Sequence, residues 1–369
     1  MIPWMGEEEV AAVADVIASG WVAQGPKVAE FESAFANNVG AAAGVAVSSA
    51  TTGLHLVLHA LGVGPSDEVI VPSLSFIATA NSVVHTGATP VFCDVDRTTL
   101  AMTPAHVEPL ITDRTKAIMI VHQLGIPADI DSLTQLADSH GVPLIEDAAC
   151  AVGSTYKGTS IGGGRHTAVF SLHPRKLLTT GEGGMIATPD VKLAERLRRL
   201  RAHAMSASAF ERSQADGPAV ETYDEVGFNY RMTDIQAAVG LVQLGRLEEL
   251  IANRRRQAEV YRAAFADLDS VTYPLDPPYG TTNYQSYWVM LNSDDDRRDD
   301  IIASLVGSGI ASKPIVMAAH SEAAYSDHGP FDLPVTEDIA GHGFLLPLYH
   351  TMTDDDLAQV IESVRKAMS

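Results

Sequence analysis

The period of the apolar positions changes several times along the chain. Val10, Val13, Ala14 and Ile17 recur at helical spacing and stop at Gly20, and Val28, Phe31 and Phe35 do the same before Gly40. Two helices joined by Trp21 to Pro26 are therefore predicted over residues 1–40. Short β-rich runs then alternate with helical ones. Strands are predicted at 44–48, 68–72, 90–93, 116–121, 142–146, 168–172 and 184–187, with helices at 51–61, 76–85 and 132–140 between them. This rhythm predicts an α/β fold, with a large domain built on a mostly parallel, seven-stranded-type sheet flanked by helices. Thr233-Asp234-Ile235-Gln236 has the form of a capping box and opens a helix expected to reach about residue 253. After a segment rich in Pro and Gly at 273–280, the pattern becomes that of a smaller α+β C-terminal domain. Its strands fall near 287–291 and 311–316, with a helix from about 299 and a closing helix from 354 to about 368. The division this predicts is 1–250, N-terminal helices included, and 251–369.

Composition narrows the function classes. The chain has 369 residues, 46% of them apolar, enough for a full core, and a formal charge of -21 argues against nucleic acid or an anionic membrane as the main partner. Any anionic ligand must be held by a local site. Cys93 and Cys150 are too few for a disulfide framework, an iron–sulfur cluster or a thiolate zinc site, and they suit a reducing cytoplasm. The first nine residues lack a basic leader, and no run of about 18 apolar residues occurs, so a cytoplasmic protein is expected. Asp294-Asp295-Asp296 and Asp354-Asp355-Asp356 each precede an apolar-periodic run, where acids favour a helix amino terminus. The thirteen histidines show no HExxH spacing, so no metal is expected. Gly162-Gly163-Gly164 lacks the lysine and hydroxyl residue of a phosphate loop and reads as a turn.

One segment carries chemistry. Lys176 lies in Phe170-Ser171-Leu172-His173-Pro174-Arg175-Lys176, just before the glycine-rich run Thr179 to Gly184. The short polar Ser171 stands five residues ahead of it, and Asp147 follows a Val-Pro-Leu-Ile strand. An amine, a carboxylate held from water and hydroxyls for a phosphate are what pyridoxal 5'-phosphate requires of a protein, because the cofactor carries its own electron sink. In open α/β sheets ligands gather beyond the carboxyl ends of the strands, and Asp147, Ser171, Thr51 and Phe76 all fall at or just past such ends.

These residues resemble the pyridoxal-phosphate-dependent sugar aminotransferases of the DegT/DnrJ/StrS group, within fold type I of the aspartate aminotransferases. The likeness runs from Gly20-Trp21 and Gln24-Gly25-Pro26 to Leu346-Pro347-Leu348-Tyr349. Its strongest blocks are Gly64 to Pro72, Glu146-Asp147-Ala148-Ala149, the lysine segment and Gly227-Phe228-Asn229-Tyr230-Arg231. The resemblance implies that Lys176 is the Schiff-base lysine, that Asp147 partners the pyridine nitrogen and that Phe76 stacks on the ring. It also implies that Thr51, Thr52 and Ser171 meet the phosphate, and that Asn229 reaches it from a neighbouring subunit, making a homodimer with composite active sites. The activity implied moves an amino group from an amino acid, glutamate by expectation, to a keto sugar linked to a nucleoside diphosphate, by way of pyridoxamine phosphate.

Cys150 departs from the group, where glutamine or histidine is common near the phenolic oxygen of the cofactor. A thiol donates more weakly, so Cys150 is either a poorer contact or a packing residue. Leu172 and His122-Gln123-Leu124-Gly125 also differ from the usual wording and point to a subgroup or another substrate. A sugar dehydratase using pyridoxamine phosphate is disfavoured, because such relatives replace the lysine with histidine. A keto-cyclitol aminotransferase of antibiotic biosynthesis and a non-catalytic cofactor-binding regulator remain as alternatives. Arg175, Arg231 and Lys313 are candidates to meet a diphosphate, or are ordinary surface charges.

Overall fold

The computed structural model describes residues 3–206 and 221–368. Helices α1 (Glu7–Ser19) and α2 (Pro26–Val39) end on Gly20 and Gly40, which take φ of 76° and 83°. Only a residue without Cβ adopts this left-handed turn cheaply. The start of α2 is capped from a distance, because Gly25 has no side chain to do it. The Asp234 carboxylate accepts the backbone N–H groups of Gly25, Lys27 and Val28 at 2.8, 3.1 and 3.0 Å. An anion there also meets the positive end of the helix.

Strands β1 (Ala43–Val47), β2 (Glu68–Pro72), β3 (Thr89–Cys93), β4 (Thr115–Val121) and β5 (Leu144–Asp147) precede a small hairpin, β6 (Thr155–Tyr156) and β7 (Thr159–Ser160). Then come β8 (Thr167–Ser171) and β9 (Gly184–Thr188). Seven of these form one sheet in the order β1-β9-β8-β5-β4-β2-β3. The pairs β2–β3, β2–β4, β4–β5 and β5–β8 are parallel, and β9 runs antiparallel to both β1 and β8. The mostly parallel seven-stranded sheet expected from the rhythm is thus present, with one strand reversed.

Helices α3 (Ala50–Ala60), α4 (Ala78–Val84), α5 (Pro104–Val107), α6 (Ile130–His140) and α7 (Val191–Leu200) lie along the chain between and after the strands. Alternation along the strands separates two cores. Val169 and Ile186 pack with Leu54, Val57, Leu58 and Leu197, whereas Ala168, Phe170 and Met185 pack with Phe31 and Phe35 of α2. Both faces of the sheet are covered, which is why its strands read as continuous apolar runs. The edge strand β1 is held by Glu32, whose Oε1 accepts the Ala46 N–H at 2.9 Å and the buried Arg201 guanidinium, while Arg198 Nε donates to Oε2 at 3.0 Å.

The helix opened by Thr233 is shorter than predicted. It is α8 (Asp234–Gly245), and α9 (Leu247–Phe265) follows after a break at Arg246, where φ is -100° and ψ is 1°. The Arg246 guanidinium turns there to Glu8 and Glu9 of α1 and covers the Trp4 ring at 4.6 Å. This tertiary anchor beside Gly245 overrides the continuous helical period. A second sheet orders β10 (Val271–Thr272), β12 (Tyr287–Leu291), β14 (Gly343–Leu346) and β13 (Lys313–Pro314), while β11 (Gly280–Thr281) pairs with β6. The strand expected over 311–316 shrinks to Lys313–Pro314. Pro314 has no N–H for the ladder, and the chain leaves to form a bridge between Leu74 and Ala318. Helices α10 (Arg298–Gly307), α11 (Pro334–His342) and α12 (Asp354–Met368) complete the described chain. None of its helices is long and apolar enough to cross a membrane.

Candidate active site

The sheet register lines up one edge of the molecule. Val121 pairs with Asp147, Asp147 with Val169, and Gly184 with both Ser171 and Val47. Asp147, Ser171 and the start of α3 therefore emerge along one row, at the carboxyl ends of β5, β8 and β1.

At the α3 end of this row, Ser49 caps the helix by accepting the Thr52 N–H at 3.2 Å. The Thr52 hydroxyl accepts from Ser49 N at 3.0 Å and donates to Ser49 O at 2.8 Å, so its one proton is spent inside the cap. The N–H groups of Ala50 and Thr51, the first two helical residues, have no intrahelical acceptor. They form a ready anion site at the positive end of the helix. The glycine run explains itself here. A Cβ on Gly184 would lie 2.5 to 2.7 Å from the carbonyl of Ser49 and the nitrogen of Ala50, so any side chain would push the helix start away.

Asp147 is buried. Its Oδ2 accepts from Thr79 Oγ1 at 2.7 Å and its Oδ1 from the Ala149 N–H at 3.1 Å. Ser75 Oγ lies 2.7 Å from Thr79 Oγ1. A carboxylate only accepts, so Thr79 gives its proton to Asp147 and Ser75 gives its own to Thr79. Burial pushes the Asp147 carboxyl above its usual range, against the pull of Thr79, the Ala149 amide, Lys176 and His122. Behind it, on the other face of β5, His122 Nε2 lies 2.9 Å from Glu146 Oε2. His122 Nδ1 accepts the Ala128 N–H at 3.1 Å, which places the imidazole proton on Nε2, facing the carboxylate.

Lys176 sits in a turn closed by its own N–H to His173 O at 2.8 Å, and its Nζ lies 3.0 Å from Cys150 Sγ. A segment remote in sequence braces both residues. Gln285 accepts the Leu177 N–H at 2.9 Å and donates to Arg175 O at 2.7 Å, while Asn283 Nδ2 donates to Cys150 O at 2.9 Å. Phe76, just ahead of α4, is 62% exposed, and with Arg175, Arg298 and Lys313 it lines a cavity of about 650 Å³.

The structure thus brings Lys176, Cys150 and Asp147 together, with Ser171 and the start of α3 along the same edge. Asn229 is exposed, its backbone bridged to Ala202, and its side chain makes no hydrogen bond among the described residues. Arg231 does not line the cavity that Arg175 and Lys313 share. Sequence reasoning missed Thr79, Ser49, Asn283 and Gln285. Of these only Thr79 left a local signal, standing one helical step beyond Phe76. Among the described residues, the arrangement offers a buried carboxylate in no ion pair, two amides with no acceptor and suited to an anion, an amine, and an exposed aromatic face. These groups fit pyridoxal phosphate.

Comparison with known proteins identifies the family. The model of the DegT/DnrJ/EryC1/StrS aminotransferase family matches residues 3–365. Among solved structures, the aminotransferase TlmJ from Streptoalloteichus hindustanus is 37% identical, with a TM-score of 0.91 over 100% of this chain and 97% of its own. DesV of S. venezuelae is 35% identical, with a TM-score of 0.90 over 98% and 95%. Spr1654 from Streptococcus pneumoniae, described as a candidate sugar aminotransferase, is 29% identical in its PMP form, with a TM-score of 0.93 over 99% and 98%, and has also been solved in a PLP form.

Proposed function

The chain belongs to the DegT/DnrJ/EryC1/StrS aminotransferase family of pyridoxal-phosphate enzymes, and from that premise we propose that it moves an amino group from glutamate to a keto sugar carried on a nucleoside diphosphate. The observation that carries this reading is the cluster of Asp147, Thr79, Lys176 and Phe76 beside a cavity bearing three cations in a chain of net charge -21. The cofactor supplies an electron sink for the carbon that loses its proton. Asp147 would hold the proton on the ring nitrogen, and its burial would strengthen that pairing. The N–H groups of Ala50 and Thr51, with the hydroxyls of Thr51 and Ser171, would hold the phosphate, and Phe76 would cover the ring. Lys176 takes the proton from the donor's α-carbon and returns one in the second half of the exchange, acting as base and then as acid. Asn229, exposed on its own subunit, completes the phosphate site of a second copy, so the working unit is a homodimer. The free thiol of Cys150 beside Lys176 suits a reducing cytoplasm.

The test is to load the wild type and Lys176→Ala with pyridoxal phosphate, add glutamate, and then add nucleotide-linked keto sugars. The wild type should lose its visible absorption with glutamate and regain it with the correct acceptor, and the variant should do neither. A wild type that never exchanges amino groups with any amino acid would remove the reading. Mixing Lys176→Ala with Asn229→Ala chains tests the composite site. Random dimers should recover roughly a quarter of wild-type turnover, and no recovery would argue for sites complete within one subunit.

A further inference from the structure

Among the described residues, two cations in the cavity beside Phe76 make no ion pair. Arg298 pairs with Asp299 and donates to Ala340 O. Among the described residues, Arg175 and Lys313 meet no carboxylate, although the protein holds 46 acids against 25 bases. Glu322 and Glu337 line the same cavity, but Glu337 is turned to His320 Nε2 at 3.2 Å. Arg175 comes from the loop of the large sheet that carries Lys176, and Lys313 from β13 of the second sheet, so the pair closes on the cavity from two walls. Lys313 is exposed by area, yet crowding by protein atoms, and then the cations of Arg175 and Lys176, hold its ammonium below the usual lysine range, with Cys150 opposing. Such gathered positive charge is relieved by a bound oxyanion.

Both substrates must present their reacting carbon to the same lysine, so they occupy the same space in turn. The side-chain carboxylate of glutamate stands roughly three bonds from its reacting carbon, and the anomeric phosphate of a 3- or 4-keto sugar roughly four or five, so one fixed site can meet either. We propose that Arg175 and Lys313 form a single oxyanion clasp that holds the distal carboxylate of the donor in one half of the exchange and the sugar-linked phosphate in the other. This rests on the aminotransferase reading above. The guanidinium offers a planar fork and the ammonium a point charge, a pair suited to either anion.

The test uses the cofactor-loaded protein and the variants Lys313→Met, Lys313→Arg and Arg175→Met. Single-turnover half-reactions are run with glutamate and with alanine, which lacks the distal carboxylate, and binding of inorganic pyrophosphate is measured by calorimetry. Loss of one charge-assisted contact should weaken glutamate and pyrophosphate about tenfold to a hundredfold. The limiting rate and the response to alanine should stay unchanged, and arginine at 313 should restore most of the loss. The clasp is overturned if alanine is weakened as much as glutamate, if only the limiting rate falls, or if pyrophosphate binds the methionine variants as well as the wild type. A wild type that reacts with glutamate but accepts no nucleotide sugar would remove the sugar reading alone, and the glutamate and pyrophosphate arms would still decide the clasp.

Discussion

Replacing Thr79 by valine tests how the protein holds its key carboxylate. The change keeps the shape of a side chain that is 2% exposed and removes one hydroxyl, the donor 2.7 Å from Asp147 Oδ2. A hydrogen bond to a charged group contributes about 1.5 to 3 kcal/mol, which corresponds to about one to two units in the Asp147 pKa. The direction follows from the geometry. Thr79 stabilises only the ionised form, so its loss raises a carboxyl that burial already holds above the ordinary range. In the proposed mechanism activity requires Asp147 charged and is lost as pH falls through its pKa, so the acid limb of the half-reaction with glutamate should move to higher pH by about one to two units. Thr79→Ser keeps the hydroxyl and should leave the limb near the wild type. The assay is single-turnover reduction of the cofactor's visible band across the acid range. Coincident limbs for Thr79→Val and wild type, or equal damage from valine and serine, would refute the reasoning.

Three further outcomes follow from single contacts. Gly184→Ala places a Cβ within 2.7 Å of Ser49 and Ala50 backbone atoms, so the start of α3 must shift; cofactor affinity, read by equilibrium dialysis, should fall at least tenfold, and unchanged affinity would detach that helix end from the phosphate. Gln285→Leu strands the Leu177 N–H and Arg175 O and should cost about 1 to 3 kcal/mol in denaturation while slowing the lysine step; unchanged stability and rate would show the brace to be idle. Burial, and then the nearby imidazoles of His85 and His59, depress His55 to about 4. The unfolded chain then binds the extra proton between about pH 6.5 and about pH 4, so the stabilising term is full above that window and lost as pH falls through it, by up to about 3 kcal/mol. In denaturant titrations at about pH 7.5 and about pH 4.5, His55→Gln should flatten the dependence by that amount, and parallel curves would contradict it.

The parts legible in the sequence were those with short-range causes. Gly20 and Gly40 end helices because of a backbone conformation set within four residues, and the capping box at Thr233 forms as written. Asp147 falls at a sheet's carboxyl end, as an apolar strand followed by small residues predicts, and Lys176 stands in the turn ahead of the glycine run. What was hidden depends on contacts between distant positions. Thr79 meets Asp147 across 68 residues, Gln285 meets Leu177 across 108, and Asp234 caps a helix more than 200 residues earlier. Such pairs impose no period on either segment, so no window of sequence contains the signal. The same cause produced the errors. The break at Arg246 answers to Glu8 and Glu9 at the other end of the chain, and the strand at Lys313 is cut short by a bridge to Leu74.

That asymmetry bears on the chemistry. Asp147 and Lys176 are announced locally, but neither stands alone: Thr79 donates to the buried carboxylate of the first, and Gln285, from the loop ahead of β12, pins the turn that carries the second. The loop between β11 and β12 gives Gln285 to the lysine turn and Asn283 to Cys150, and β13 gives Lys313 to the pocket wall. On the proposed reading, the contact with a substrate's distant oxyanion is made alike before and during the proton transfer, so its loss is felt in affinity and not in the limiting rate.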